Sequence, residues 1–251
     1  CEARGLPALY RVHEPPVRER AEELGEFLSR LGHRLPRRKA LAPADLQHLL
    51  NTVRGRPEEQ LVSTVVLRSL QRARYDAENL GHFGLASEAY LHFTSPIRRY
   101  PDLVVHREVV RTMVLGEPPR VRNPEELQGV ADLASEREQA AAEAERDSVA
   151  LKKVEFMERH LGDEFDGRIS SVTAFGFFVT LEAYHVDGLV HVNTLRDDFY
   201  RFVEGAYALV GDRGRRRYRL GDGVRVQVVR VDKEARHVDF LMVRTIKPQR
   251  V

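Results

Sequence analysis

Between Gly81 and Arg107 the chain concentrates residues able to do chemistry: Gly81-His82-Phe83-Gly84, then His92-Phe93-Thr94-Ser95-Pro96-Ile97-Arg98-Arg99-Tyr100-Pro101-Asp102-Leu103-Val104-Val105-His106-Arg107. Thr94 or Ser95 followed by Pro96 has the form of an N-cap and a first-turn proline. Backbone N–H groups at such a start lack intrahelical acceptors and can face a phosphate. Arg98 and Arg99 follow within one turn and add forked donors suited to phosphate oxygens. Pro101 cannot continue a helix begun at Ser95, so a kink or restart is expected there. Asp102 and His106 then fall four apart on the restarted helix, where the carboxylate can orient Arg98 or the imidazole. The same spacing equally suits a surface ion-pair set of Asp102, His106 and Arg107, with Thr94 to Pro96 acting only as a cap. On spacing alone the two readings stand level.

A second candidate is Phe175-Gly176-Phe177-Phe178-Val179 with Gly188-Leu189-Val190-His191. Residues three apart on a strand face opposite sides, so Phe175 and Phe178 share a face only if Gly176 allows a bulge. With the bulge, two rings can stack on unpaired bases while Phe177 turns inward; without it, the run is core. The Arg-rich stretch Arg213, Arg215, Arg216, Arg217 and Arg219 reads either as a track for phosphates or as a solvated loop. No acidic cluster of the kind that holds a divalent metal is evident. The only adjacent aspartates, Asp197-Asp198, read as an exposed loop. Cys1 lies in no nucleophile motif.

The elements that must position these residues fall into two textures. Up to about residue 160, helix-like periodicity alternates with Pro and Gly. Val17 to Leu31 carries Ala21, Leu24, Leu28 and Leu31 on one face and stops at Gly32; a second helix opens at Pro43 with Leu46, Leu49 and Leu50; a third is expected from Pro57 through Leu61, Val65 and Leu70 towards Tyr75. Asn123-Pro124-Glu125-Glu126 starts another. A capping-box pattern at Ser135 predicts a break, then a helix of about 25 residues, or about 38 Å, ending at Leu161-Gly162. After Gly162, five β-rich segments (Glu164 to Ser170, Gly176 to Leu181, Gly188 to Val192, Val224 to Val231, His237 to Val243) predict a small antiparallel barrel of the OB-fold type. The expected domains are 1–161 and 162–251.

Composition bounds the function classes. A chain of 251 residues with 42% hydrophobic and 31% charged residues reads as globular, with no apolar run long enough to span a membrane. Its net charge of +2 makes no case for a polyanion partner, although the cations are 35 Arg against 5 Lys. Codon bias explains that skew as well as phosphate binding does. One cysteine excludes an internal disulfide, and a reducing cytoplasm is the default location.

The string Gly81 to Arg107 closely resembles the signature of the ribonuclease II and ribonuclease R family of processive 3′ to 5′ exoribonucleases. The likeness extends to Leu9-Tyr10-Arg11-Val12-His13-Glu14-Pro15-Pro16, to Arg68-Ser69-Leu70-Gln71-Arg72-Ala73-Arg74-Tyr75 and to Glu143-Ala144-Glu145-Arg146-Asp147. The Phe175 to His191 segment resembles the S1 RNA-binding domain. The resemblance implies an α+β chain: the mostly helical rear half of an RNB-type α/β catalytic domain, then a five-stranded S1-type barrel. It implies that Arg98 holds the phosphate beside the scissile bond. It places Thr94, Ser95, Arg99, Tyr100 and Glu145 near RNA, and makes His191, Asp232 and Arg236 complete the face begun by Phe175 and Phe178. By periodicity alone, Glu145 is equally a solvated helix residue. The family uses Mg²⁺ held by aspartates in the front half of its catalytic domain, so this chain is expected to hold no metal itself. The implied partners are single-stranded RNA and the amino-terminal remainder of the catalytic domain, with no membrane. The implied reaction of the intact enzyme is hydrolysis of RNA to nucleoside 5′-monophosphates. The alternative is a catalytically inactive RNA-binding remnant.

Overall fold

The structure, a computed structural model, describes residues 1–36, 41–56, 58–120, 123–213 and 216–246. Pro57 and Arg215, singled out above, lie outside the described residues. The chain divides into two compact units, Cys1–Arg54 with Ser63–Glu143, and Gly55–Val62 with Ala144–Val251.

In chain order the first elements are β1 (Tyr10–Val12), α1 (Arg18–Arg30), α2 (Pro43–Val53), α3 (Glu59–Ser69), β2 (Arg74–Asp76), α4 (Tyr100–Val109) and α5 (Pro124–Met157). Helix α1 buries Leu24, Phe27 and Leu28 on the apolar face its spacing predicts. Pro43 opens α2, whose Leu46, Leu49 and Val53 are buried. The third helix stops short of the expected Tyr75: Ser69 is its last residue, and Tyr75 lies in β2 opposite Arg11 of antiparallel β1. Burial of the ring with Leu9, Val104, Leu127 and Ala131 rewards that strand position. Helix α4 runs on through a π-helical turn, Val110–Val114.

The expected break at Ser135 is absent. Helix α5 is continuous over 34 residues, a length of about 51 Å at 1.5 Å per residue. Ser135 does not cap, because its hydroxyl donates to the Ala131 carbonyl one turn back (2.8 Å) and accepts the Tyr75 N–H of β2 (2.9 Å). A serine bonded in this way sits in a helix interior.

The second unit carries β3 (Glu164–Thr173), β4 (Gly176–Leu181), β5 (Asp187–His191), β6 (Tyr200–Val203), β7 (Ala208–Gly211), β8 (Arg217–Arg219), β9 (Gly223–Asp232) and β10 (His237–Ile246). Five of them close a barrel in the order β10-β5-β4-β3-β9. One closure is parallel rather than antiparallel as expected: β10 meets β5 at Asp239 and Leu189. Inward-facing Ile169, Phe177, Val179, Leu181, Val190, Val224, Val226, Val228 and Phe240 fill the barrel, joined by Val154 and Met157 from the end of α5. Gly188 is required by close approach, since a Cβ there would stand 2.4 Å from the Phe240 ring. Between β5 and β9 the chain forms a separate antiparallel sheet, β6-β7-β8, which the sequence reading missed. Its last strand takes up part of the Arg-rich stretch read above as a phosphate track or a solvated loop.

Candidate nucleic-acid interface

In the first unit, Ser95 to Arg98 form one isolated turn rather than the first turn of a helix. The Arg98 and Arg99 amides donate to the Ser95 carbonyl at 3.2 and 3.0 Å. Arg99 is then extended (φ −125°, ψ 113°) and serves as N-cap of α4, with Pro101 in the first turn. A restart therefore occurs where proline chemistry places it. The expected amide cradle for phosphate does not form: the Ser95 N–H donates to Asp102 Oδ1 at 2.8 Å.

Asp102 corrects both readings of its role. It is fully buried, so it is no surface ion pair, and it orients neither Arg98 nor His106. Its Oδ1 accepts from Arg99 Nη2 at 2.8 Å as well as from the Ser95 amide. Burial pushes its carboxyl up, but the Arg99 and Ser95 hydrogen bonds with the Arg99 charge outweigh that and hold it below the usual carboxylate range. His106 instead donates from Nε2 to the Phe93 carbonyl (2.7 Å) and stacks on the Phe93 ring at 4.0 Å. The result is a turn pinned from beneath by one buried carboxylate.

Arg98 stands on that turn exposed, its guanidinium with no ion pair or hydrogen bond among the described residues. Ile97 beside it is 97% exposed, and Thr94 and Tyr100 are exposed as well, while Ser95 is half-buried. Arg99 is the exception among the five, being committed to Asp102. Tyr100 borders an open cleft of about 510 Å³ also lined by His106, Arg107, Arg111 and Arg120. Behind the turn, His92 shares a hydrogen bond with the Tyr75 hydroxyl (2.9 Å), and the Arg11 guanidinium lies 4.7 Å from the centre of the Tyr75 ring. Burial, together with the charges of Arg99 and Arg11, pushes the His92 imidazole down. This favours its neutral form.

In the second unit the two phenylalanines do come together, by a different device from the one expected. Phe175 lies in the β3–β4 turn, and the register shift is on β3, between Ile169 and Ser171, not at Gly176. Gly176 adopts φ 154°, with its absent Cβ only 2.3 Å from the Val190 carbonyl oxygen, so the turn can fold onto β5. The Phe175 and Phe178 rings meet edge-to-face at 6.2 Å, Phe175 is 48% exposed, and Phe177 is buried. His191 pairs across from Gly176, and its Nδ1 accepts the Asn193 N–H at 3.2 Å.

Asp232 ends β9, and Arg236 lies in the turn that leads into β10. Asp239 of β10 pairs with Leu189, which pairs in turn with Phe178. Asp232 accepts the Ala235 N–H and pairs with Arg230, which together keep its carboxyl low despite burial; Arg236 pairs with Asp147 at 2.6 Å. Glu145 is an exposed residue of α5. Among the described residues no group of three or more His, Cys, Asp or Glu side chains is placed to hold a metal ion. The residues present therefore do not fit a Mg²⁺ site.

Comparison with known proteins gives this geometry its family. Residues 1–114 match the RNB domain and residues 159–242 the S1 RNA binding domain. The chain is 44% identical over 246 residues to ribonuclease R of Aquifex aeolicus, covering 98% of this chain and 35% of that protein. It is 41% identical to ribonuclease R of Escherichia coli over 94% of this chain and 30% of that protein. It thus spans about a third of the length of the curated relatives it matches. Among solved structures, RNase R of Mycoplasma genitalium in complex with ribose methylated single-stranded RNA superposes with a TM-score of 0.85 at 26% identity, over 96% of this chain and 38% of that one. An RNB sequence leading through α5 into an S1 barrel, at about 40% identity to ribonucleases R along nearly its whole length, places the chain in the RNB domain family, with an S1 RNA binding domain following.

Proposed function

We propose that the chain is the rear part of a Mg²⁺-dependent, processive 3′ to 5′ exoribonuclease, with the phosphate-gripping turn at Ser95 to Arg99 and an S1 barrel that feeds it single-stranded RNA. The observation that carries this reading is Arg98: a guanidinium with no partner among the described residues, on a turn fixed by a buried Asp102. A preorganised arginine of this kind stabilises charge developing on a phosphoryl group and needs no reorganisation as the reaction proceeds. Phe175 and Phe178 offer stacking surface for unpaired bases, worth about 1–3 kcal/mol per base. Asp232, Arg236, His191 and Glu145 belong to the same proposal as RNA contacts. The carboxylates that hold Mg²⁺ lie, on this reading, in the amino-terminal remainder of the catalytic domain, which is the chain's partner. The product is nucleoside 5′-monophosphate and the site of action the cytoplasm.

The test supplies 3′-extended RNA and Mg²⁺ to this chain with and without that remainder. Binding alone, and shortening only together, is the expected result. Digestion by the isolated chain refutes the division of labour. In the reconstituted enzyme Arg98→Ala lowers kcat more than RNA affinity; equal loss of both makes Arg98 a uniform binding contact. A second reading, an inactive RNA-binding remnant, draws on the lack of a metal-holding group among the described residues. Reconstitution without cleavage favours it.

A further inference from the structure

The β6-β7-β8 sheet has two unlike faces. One row, Phe202–Leu209–Tyr218, turns inward: Leu209 and Tyr218 are buried in the barrel core and Phe202 packs against it. Alternate residues turn outward. Arg201 pairs across to Val210 and Val210 to Arg217, while Val203, Ala208 and Arg219 form the next row. Phe199, two residues before Arg201, shares that outward side. Its carbonyl accepts the Asp212 N–H at 2.9 Å, so the backbone holds the ring in line with the ladder, yet the side chain is 73% exposed.

On this side Ala208 is buried and Val210 half-buried, with exposed Arg201 to one side of them and exposed Arg217 and Arg219 to the other. The Arg217 side chain has no ion pair or hydrogen bond among the described residues, and Arg219 reaches Asp222 at 3.4 Å. Arg201 is paired with Asp212 at 2.7 Å. Exposed pairs of this kind contribute only about 0–1 kcal/mol, so they direct the guanidiniums without withholding them from a phosphate. An exposed aromatic ring flanked by cations at strand spacing is the arrangement that binds single-stranded nucleic acid without regard to sequence.

We propose that this outward face is a second RNA contact of the S1 unit. Phe199 stacks on an unpaired base, and Arg201, Arg217 and Arg219 take the flanking phosphates. The proposal rests on RNA being the ligand of the chain and adds a surface separate from the Phe175–Phe178 patch.

The experiment measures binding of the whole chain, in EDTA, to a fluorescent oligoadenylate of about 20 nucleotides, longer than the 4–16 that one OB-fold covers. Affinity is followed against salt concentration. Phe199→Ala is expected to weaken binding about fivefold or more, and Phe199→Trp to restore it. Arg217→Gln with Arg219→Gln is expected to flatten the plot of log K against log salt by about 1.4, at about 0.7 for each phosphate released. Unchanged affinity and slope in these variants, with Phe175→Ala/Phe178→Ala still weakening binding, overturns the second site and leaves the proposed function standing. That is also the result if the face serves a protein partner. No effect from either set overturns both. As a check free of substitutions, 4-thiouridine RNA irradiated with the unaltered chain should crosslink the peptide containing Phe199, and failure to do so counts against the site.

Discussion

Asp102→Asn tests whether one buried carboxylate holds the turn that carries Arg98. The side chain keeps its size and one acceptor for the Ser95 amide but loses the charge opposite Arg99. Breaking a fully buried pair costs about 3–5 kcal/mol, and a hydrogen bond to a charged group contributes about 1.5–3. The Arg99 side chain retains 22% exposure, so water recovers part of the loss. About 2–3 kcal/mol is then expected, which for a unit of this size lowers the midpoint of helix melting by roughly 5–12 °C. Circular dichroism at neutral pH reads it, with Asp132→Asn as the control, because Asp132 only accepts an exposed bond from Gln128 one turn away. A double replacement, Arg99→Met with Asp102→Leu, should recover much of the stability, since apolar side chains of similar volume remove the unpaired charge along with the pair. A shift no larger than the control's, or a double variant less stable than the single, refutes the account.

Two further outcomes follow from packing and protonation. Gly188→Ala drives a methyl against the buried Phe240 ring, which cannot swing aside, and should cost the barrel about 1–3 kcal/mol with loss of thermal stability. Acid should destabilise the first unit in two stages. Burial pushes the His82 and His92 imidazoles below their usual value of 6.5, so the unfolded chain binds more protons there and stability falls as pH drops below about 6.5 towards their folded values. Asp102, held below 3.8, adds stability that is present above that value and lost as pH falls further through its folded value. Urea melts from pH 7.5 to 3 check both, and a stability flat between pH 7 and 5 contradicts the first.

The five barrel strands were legible because each alternates apolar and polar residues between Gly or Asp turns, a pattern that only a half-buried strand satisfies. The β6-β7-β8 sheet was not, because its strands are three or four residues long and Arg and Gly dominate its last turn, a composition that reads as solvated chain. Ser135 misled for a different reason. A capping box and a hydroxyl bonded one turn back look alike in sequence, and the deciding partner, the Tyr75 amide, is 60 residues away. Asp102 shows the same limit at the site. The spacing to His106 assumes a helix on both sides, whereas its real partners, Ser95 and Arg99, belong to a turn and an extended cap that precede the helix. For Phe175 and Phe178 the sequence left a shared face, conditional on a bulge at Gly176, and a core run both open; the rings meet, while the register shift falls on the neighbouring strand between Ile169 and Ser171.

Closure of the barrel has a consequence for the behaviour of the folded chain in concentrated solution. A sheet joined to itself through β10 and β5 offers no open rim, so among the described strands of the second unit the open margins are those of β6 and β8. Three residues long and guarded by Arg217 and Arg219, β8 presents a short, repulsive margin that discourages neighbouring copies from adding strands to it. The guanidiniums at that margin therefore protect against aggregation whether or not a nucleic acid is present.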